Sequence, residues 1–85
     1  MKLINIGFSN YVSDVRIIAV AIPEAEPIKR LVRDAKEDGR VIDATQGKRT
    51  KSVIVTDSDH VILSALPPDH IERRIAGDEL AESDE

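Results

Sequence analysis

Val41-Ile-Asp-Ala-Thr-Gln-Gly-Lys-Arg-Thr-Lys-Ser-Val-Ile-Val-Thr-Asp-Ser-Asp-His-Val-Ile-Leu-Ser-Ala-Leu66 decides how the chain folds. Three short β-branched runs alternate with two turn-forming segments, which predicts three strands joined through two turns. The turns carry opposite charge. Gln46-Gly47-Lys48-Arg49 runs on into Thr50-Lys51, so Lys48, Arg49 and Lys51 project from one sheet margin with no acid among them. Asp57-Ser58-Asp59-His60 is acidic and belongs at the other end of the strand Ser52 to Thr56.

Working towards the N-terminus, Gly39 is a helix stop and Pro27 a helix start, where a missing N–H costs nothing. Between them Ile28, Leu31, Val32 and Ala35 recur at i, i+3, i+4 and i+7, which predicts one amphipathic helix with its apolar stripe on the core. Arg16 to Ile22 is almost uninterruptedly apolar and ends at Pro23, a strand signature. Lys2 to Ile6 predicts a further short strand and Gly7 to Asn10 a turn. Phe8 and Tyr11 are the only aromatic residues and are expected in the core; a single-strand-binding platform needs several rings along a groove. Towards the C-terminus, Pro67-Pro68-Asp69 ends the last strand and starts a short helix, with Ile71, Ile75 and Leu80 as docking residues. The fold class expected is therefore α+β: a small, mostly antiparallel sheet with one central amphipathic helix and a short C-terminal helix. Residues 1–77 form a single domain, and the acidic residues 78–85 a disordered tail.

The runs Ile17 to Ile22, Val53 to Val55 and Val61 to Leu63 do not alternate, so both faces of the sheet are expected to be covered. Two helices packed on one face would leave the other for a second subunit. Size points the same way. A domain of 85 residues without Cys, and with only two isolated His, has neither disulfide nor zinc knuckle to staple it. Association is the remaining device. The N-terminus lacks a basic segment followed by an apolar run, and no stretch approaches a membrane span, so a soluble, cytoplasmic protein with no membrane partner is expected.

The formal charge of −4 conceals an asymmetry. Asp78, Glu79, Glu82, Asp84 and Glu85 hold five acids, so residues 1–77 carry +1, while residues 28–51 hold eight bases against four acids. A glycine-containing turn that projects two lysines and an arginine suits phosphate, which Arg grips as a fork and Lys as a point charge. The same turn also serves as a solubilising loop guarding a sheet edge. Gly47-Lys48 is not a nucleotide loop, because that pattern needs glycine where Ile42 stands and Ser or Thr where Arg49 stands. Asp57, Asp59 and His60 offer metal-ligand or acid/base chemistry, but acids and Ser are equally what a hairpin turn uses for its own backbone. His70 stands alone. No catalytic residue, metal site, cofactor or small-molecule substrate is expected.

Asn5-Ile6-Gly7-Phe8, Pro27-Ile28-Lys29-Arg30, Ile42-Asp43-Ala44-Thr45 with Gly47-Lys48-Arg49-Thr50, and above all Asp57-Ser58-Asp59-His60-Val61-Ile62-Leu63-Ser64-Ala65 resemble the RemA family of bacterial extracellular-matrix gene regulators. The resemblance runs from about Lys2 to Pro67 and leaves out the acidic tail. It implies a DNA-binding protein without enzymatic activity, which assembles into a homo-oligomeric ring on double-stranded DNA and acts on transcription of matrix (biofilm) and osmoprotection genes. It also implies that Arg16, Lys48 and Arg49 contact DNA; Lys51 joins them from its place in the basic turn. Lys48 departs from the arginine the family carries there, which keeps the charge and loses the fork. The target genes do not carry over with the resemblance. Two other classes remain: a structural or adaptor oligomer that binds a protein partner, and a metal-dependent enzyme centred on Asp57, Asp59 and His60.

Overall fold

The computed structural model describes residues 1–77, so the tail expected over 78–85, Leu80 included, lies outside the described residues. Strand β5 (Ser52–Thr56) is the hub, with its middle residues buried on both faces. It pairs antiparallel with β3 (Ile17–Ala21) on one side and with β6 (Val61–Ser64) on the other. The turn Asp57–His60 closes the β5–β6 hairpin as its composition predicts, with Asp59 in the left-handed region at φ 67°.

β4 (Val41–Asp43) departs from the expected pattern. It does not fold back on β5 but lies parallel to β6 at the outer edge, Val41 opposite Val61 and Asp43 opposite Leu63, giving the order β3-β5-β6-β4. The basic segment is therefore a strap across the end of β6 and not a hairpin turn. The physical reason is that β6 can offer carbonyls to both ends of the strap. Ala44 N–H donates to Leu63 O at 2.9 Å, and Lys51 N–H donates to Ser64 O at 2.8 Å.

The two helices also divide differently from the premise of the association argument. Helix α1 (Glu26–Glu37) has Pro near its start, ends ahead of Gly39 at φ 72°, and sets Ile28, Leu31, Val32 and Ala35 against Val53, Val61, Val41 and Leu63. Helix α2 (Pro68–Ile75) lies on the other face, where Ile71 joins Ile54, Ile62, Leu66 and Ala44. That face is completed by a two-stranded arm, β1 (Leu3–Asn5) with β2 (Tyr11–Ser13), through Ile4, Ile6 and Val12. Both faces are thus covered within one chain, because Val53 and Ile54, neighbours on opposite faces of β5, each find a separate lid. Two buried serines fasten this end of the sheet: Ser64 Oγ donates to Ile6 O of the arm at 2.7 Å, and Ser52 Oγ donates to Leu66 O just past β6.

Exposed apolar side chains occur at the β3 edge, besides Met1, Leu3, Ile42 and Ile75 elsewhere on the surface. Ile18 is 66% exposed and Ile22 51%, and Val15 is exposed in the 3-10 turn Asp14–Arg16 that enters β3. An edge strand has unpaired N–H and C=O groups along one side. Tyr11 is exposed as well, contrary to its expected place in the core, because β2 turns it outward at the rim of the arm. No helix among the described residues is long and apolar enough to cross a membrane.

Candidate nucleic-acid interface

The strap is held by its backbone, which frees its cations. Asp43 ends β4 and accepts two hydrogen bonds at Oδ1, from Thr45 N–H at 2.9 Å and Thr45 Oγ at 2.6 Å. Thr45, buried by this arrangement, accepts from Lys48 N–H at 2.9 Å and closes a four-residue turn. Both central residues of that turn are left-handed, Gln46 at φ 55° and Gly47 at φ 80°. Glycine takes this conformation freely; a residue with a Cβ gives up about 1–2 kcal/mol.

The Thr45 hydroxyl, and then its amide, hold the Asp43 carboxyl below the usual carboxylate range, and Lys36 adds to the effect. A depressed carboxylate contributes stability above its unfolded value, near pH 4. The contribution fades as pH falls through the lower folded value. Acidification below about pH 4 is therefore expected to loosen residues 44–48 before the core unfolds. Amide hydrogen exchange at Thr45 and Lys48 checks it: uniform protection down to the global transition would contradict the account.

Lys48, Arg49 and Lys51 are exposed on this strap. Arg49 meets Glu24 across 3.6 Å, with both side chains mostly in solvent (81% and 60%), so the pair holds it weakly. Helix α1 adds charge that linear order hides. Lys29 and Lys36 line a cleft of about 220 Å³ together with Pro23 and Thr50, which places the exposed face of α1 beside the strap. Spacing along the helix identifies them as solvated cations, but only packing of α1 on Val53 and Leu63 shows which loop they adjoin. Arg30 and Arg33 are exposed on the same helix.

Arg16 is not part of this cluster. The register pairs Ile17 with Thr56 and Ala21 with Val53, so Arg16 lies at the acidic end of β5, roughly 20 Å of strand away from Lys51. There its Nε stands 3.2 Å from Asp57 Oδ1, and its carbonyl accepts from Asp57 N–H at 2.9 Å. Of the four residues singled out from the sequence, the fold brings Lys48, Arg49 and Lys51 together and sets Arg16 apart.

The acidic turn is occupied with itself. Ser58 Oγ lies 2.8 Å from His60 Nδ1 and 3.0 Å from Thr56 Oγ. Arg40 donates to Asp59 O and pairs with Asp38 at 3.2 Å. Among the described residues no group of three His, Cys, Asp or Glu side chains is placed to share a metal ion.

A small α+β domain with a cationic strap at one end of its sheet is the class these features define. Comparison with known proteins places it more closely: the RemA-like family, described as extracellular matrix regulatory protein A-like, matches residues 3–75. The chain belongs to this family. It is 55% identical over 85 residues to a protein of Desulforamulus reducens, covering 100% of this chain and 94% of that one. It is 54% identical over 79 residues to one of Halothermothrix orenii, covering 93% and 94%. It is 57% identical over 75 residues to one of Alkaliphilus metalliredigens, covering 88% and 81%. Each of the three bears the name "Putative regulatory protein".

Proposed function

We propose that this protein is a cytoplasmic, nucleoid-associated transcriptional regulator, without catalytic activity, that binds duplex DNA as a homo-oligomer through the phosphates its strap can reach. The observation that carries the reading is the set Lys48, Arg49 and Lys51, exposed on a turn whose backbone is fastened to β6. Cations on a preformed loop lose little conformational freedom on meeting phosphate. Lys29 and Lys36 extend the same positive surface. The regulatory names of the relatives agree with this role.

Three to five phosphates per subunit give weak, salt-sensitive binding, each contributing about −0.9 to the slope of log affinity against log salt. Fixed repetition in a ring multiplies that by roughly 10²–10⁴. The exposed β3 edge, with Ile18, Ile22 and Val15, supports self-association. Arg16 stands at the opposite end of β5 from the strap, so within one subunit it would meet a different phosphate from those the strap reaches. The α1 stripe is committed to the core, which leaves no recognition helix for a major groove. The acidic tail limits association with random sequence.

Arg49→Ala tests the reading, with light scattering for oligomer mass and fluorescence anisotropy for duplex binding. Unchanged mass, weaker binding and a slope shallower by about 0.9 per engaged subunit are expected. Loss of the oligomer, or unaltered binding, would contradict it. The same β3 edge also favours a second reading, an adaptor that adds a strand or apolar segment of a protein partner there. In that case neutralising the strap changes nothing.

A further inference from the structure

Phosphate contacts position a protein on DNA and carry no sequence information, so a regulator needs something more. Among the described residues, three of the four non-glycine residues with positive φ, Phe8 (54°), Ser9 (63°) and Gln46 (55°), fall in the turns at residues 7–10 and 45–48. Between these turns lies an open polar cleft of about 370 Å³ lined by Asn10, Asp43, Ala44, Gln46 and Gly47. The cleft adjoins Lys48 in the strap. Left-handed non-glycine residues gather where function maintains them against their cost.

An exposed glutamine at a turn is usually ordinary surface. Gln46 differs in holding a position that Gly or Asn would fill with less strain, and its carboxamide makes no hydrogen bond to another described residue. Asp43, another residue of the cleft lining, is fixed through Oδ1 by both Thr45 donors, and no hydrogen bond to a described residue engages its Oδ2. Across from them Asn10 is anchored by Nδ2 to Gly7 O at 2.9 Å. The cleft therefore presents carboxamide and carboxylate groups, and the strap's cations begin one residue beyond its lining residue Gly47. A carboxylate repels phosphate and accepts from the amino groups on base edges; a glutamine carboxamide pairs with adenine N6 and N7.

We propose that this cleft is the base-reading part of the interface, with Gln46 the residue that selects adenine and Asp43 the group that keeps phosphates out, on the Lys48 and Arg49 side. This rests on the DNA-binding reading and assigns its specificity. The test is selection from a pool of random-sequence duplexes with the full chain, wild type and Gln46→Gly in parallel. Glycine adopts the left-handed backbone without strain, so the variant keeps the turn and loses only the carboxamide.

The wild type is expected to enrich duplexes with an adenine at a defined position and to bind them roughly tenfold or more tighter than the unselected pool. Gln46→Gly should lose preference at that position, its affinity for the selected duplexes falling about tenfold further than its affinity for the unselected pool. Enrichment of the same adenine by the variant, a wild type that binds all duplexes equally, or an equal loss on selected and unselected DNA would each overturn the assignment and leave DNA binding standing. No binding of any duplex by the intact wild type would overturn the underlying reading together with this inference.

Discussion

Ile54→Ala lowers the stability of the fold by about 2–5 kcal/mol, the range for emptying a fully buried aliphatic site. Ile54 is 0% exposed on the hub strand, opposite Val20 on β3 and Ile62 on β6. Its side chain belongs to the cluster of Ile4, Ile6, Ala44, Ile62, Leu66 and Ile71, to which four separate elements and the strap contribute. None of these can close over the gap without drawing others with it. A domain this short sits near the lower end of the roughly 5–15 kcal/mol that native domains command, so the substitution consumes a large part of the total. Urea unfolding followed by circular dichroism checks it at fixed protein concentration, since association contributes to apparent stability. Ile54→Val, which removes one methylene, should cost about 0.5–1.5 kcal/mol. Equal and small effects of both would show that Ile54 is not at the centre of the core.

The second large effect is on binding. Replacing Lys48, Arg49 and Lys51 together by Ala should reduce duplex affinity at moderate salt by on the order of 100-fold for each engaged subunit, taking about 1 kcal/mol for each exposed charge-assisted contact. The salt slope should become shallower by about 2.7 for each engaged subunit, at 0.9 per phosphate. Stability should hardly change, because all three side chains are exposed and the hydrogen bonds that hold the strap use backbone atoms with Thr45 and Asp43. Melting temperature and oligomer mass, measured alongside anisotropy, separate loss of contact from loss of fold. A triple variant that binds as the wild type does would return the strap to the role of an edge guard.

Much of the architecture was legible from local chemistry. The spacing of Ile28, Leu31, Val32 and Ala35 between Pro27 and Gly39 specifies α1 and its buried stripe, and Asp57-Ser58-Asp59-His60 specifies a hairpin. The adjacent apolar pair Val53 and Ile54 reveals a strand covered on both faces. What covers each face is set by long-range packing, and so is the partner of β4. Neighbouring strands in a chain usually pair, yet eight residues from Ala44 to Lys51 are long enough to strap across β6, whose carbonyls Leu63 O and Ser64 O receive both ends. The case for association built on helices sharing one face fails for the same reason, and the β3 edge takes its place.

The candidate site divides likewise. Three cations within four residues are visible in any reading of the chain, as is the glycine that lets the turn bend. That Lys29 and Lys36 lie beside them depends on where α1 docks. That Arg16 lies at the far end of β5, against Asp57, depends on the β3–β5 register. Gln46 draws no notice until its backbone angle and the cleft beside Asn10 are seen.

Phosphate binding by a strap repeated in an oligomer is the proposal on which the DNA-binding reading depends. The most direct measurement is anisotropy of a labelled duplex of several helical turns, titrated with protein of known mass across a series of salt concentrations. Binding is expected to require the oligomer and to weaken steeply with salt, with a log–log slope of about −2.7 or steeper, the equivalent of three phosphates or more. An intact oligomer that fails to bind duplex at low salt, or binds it with a flat salt dependence, would contradict the account.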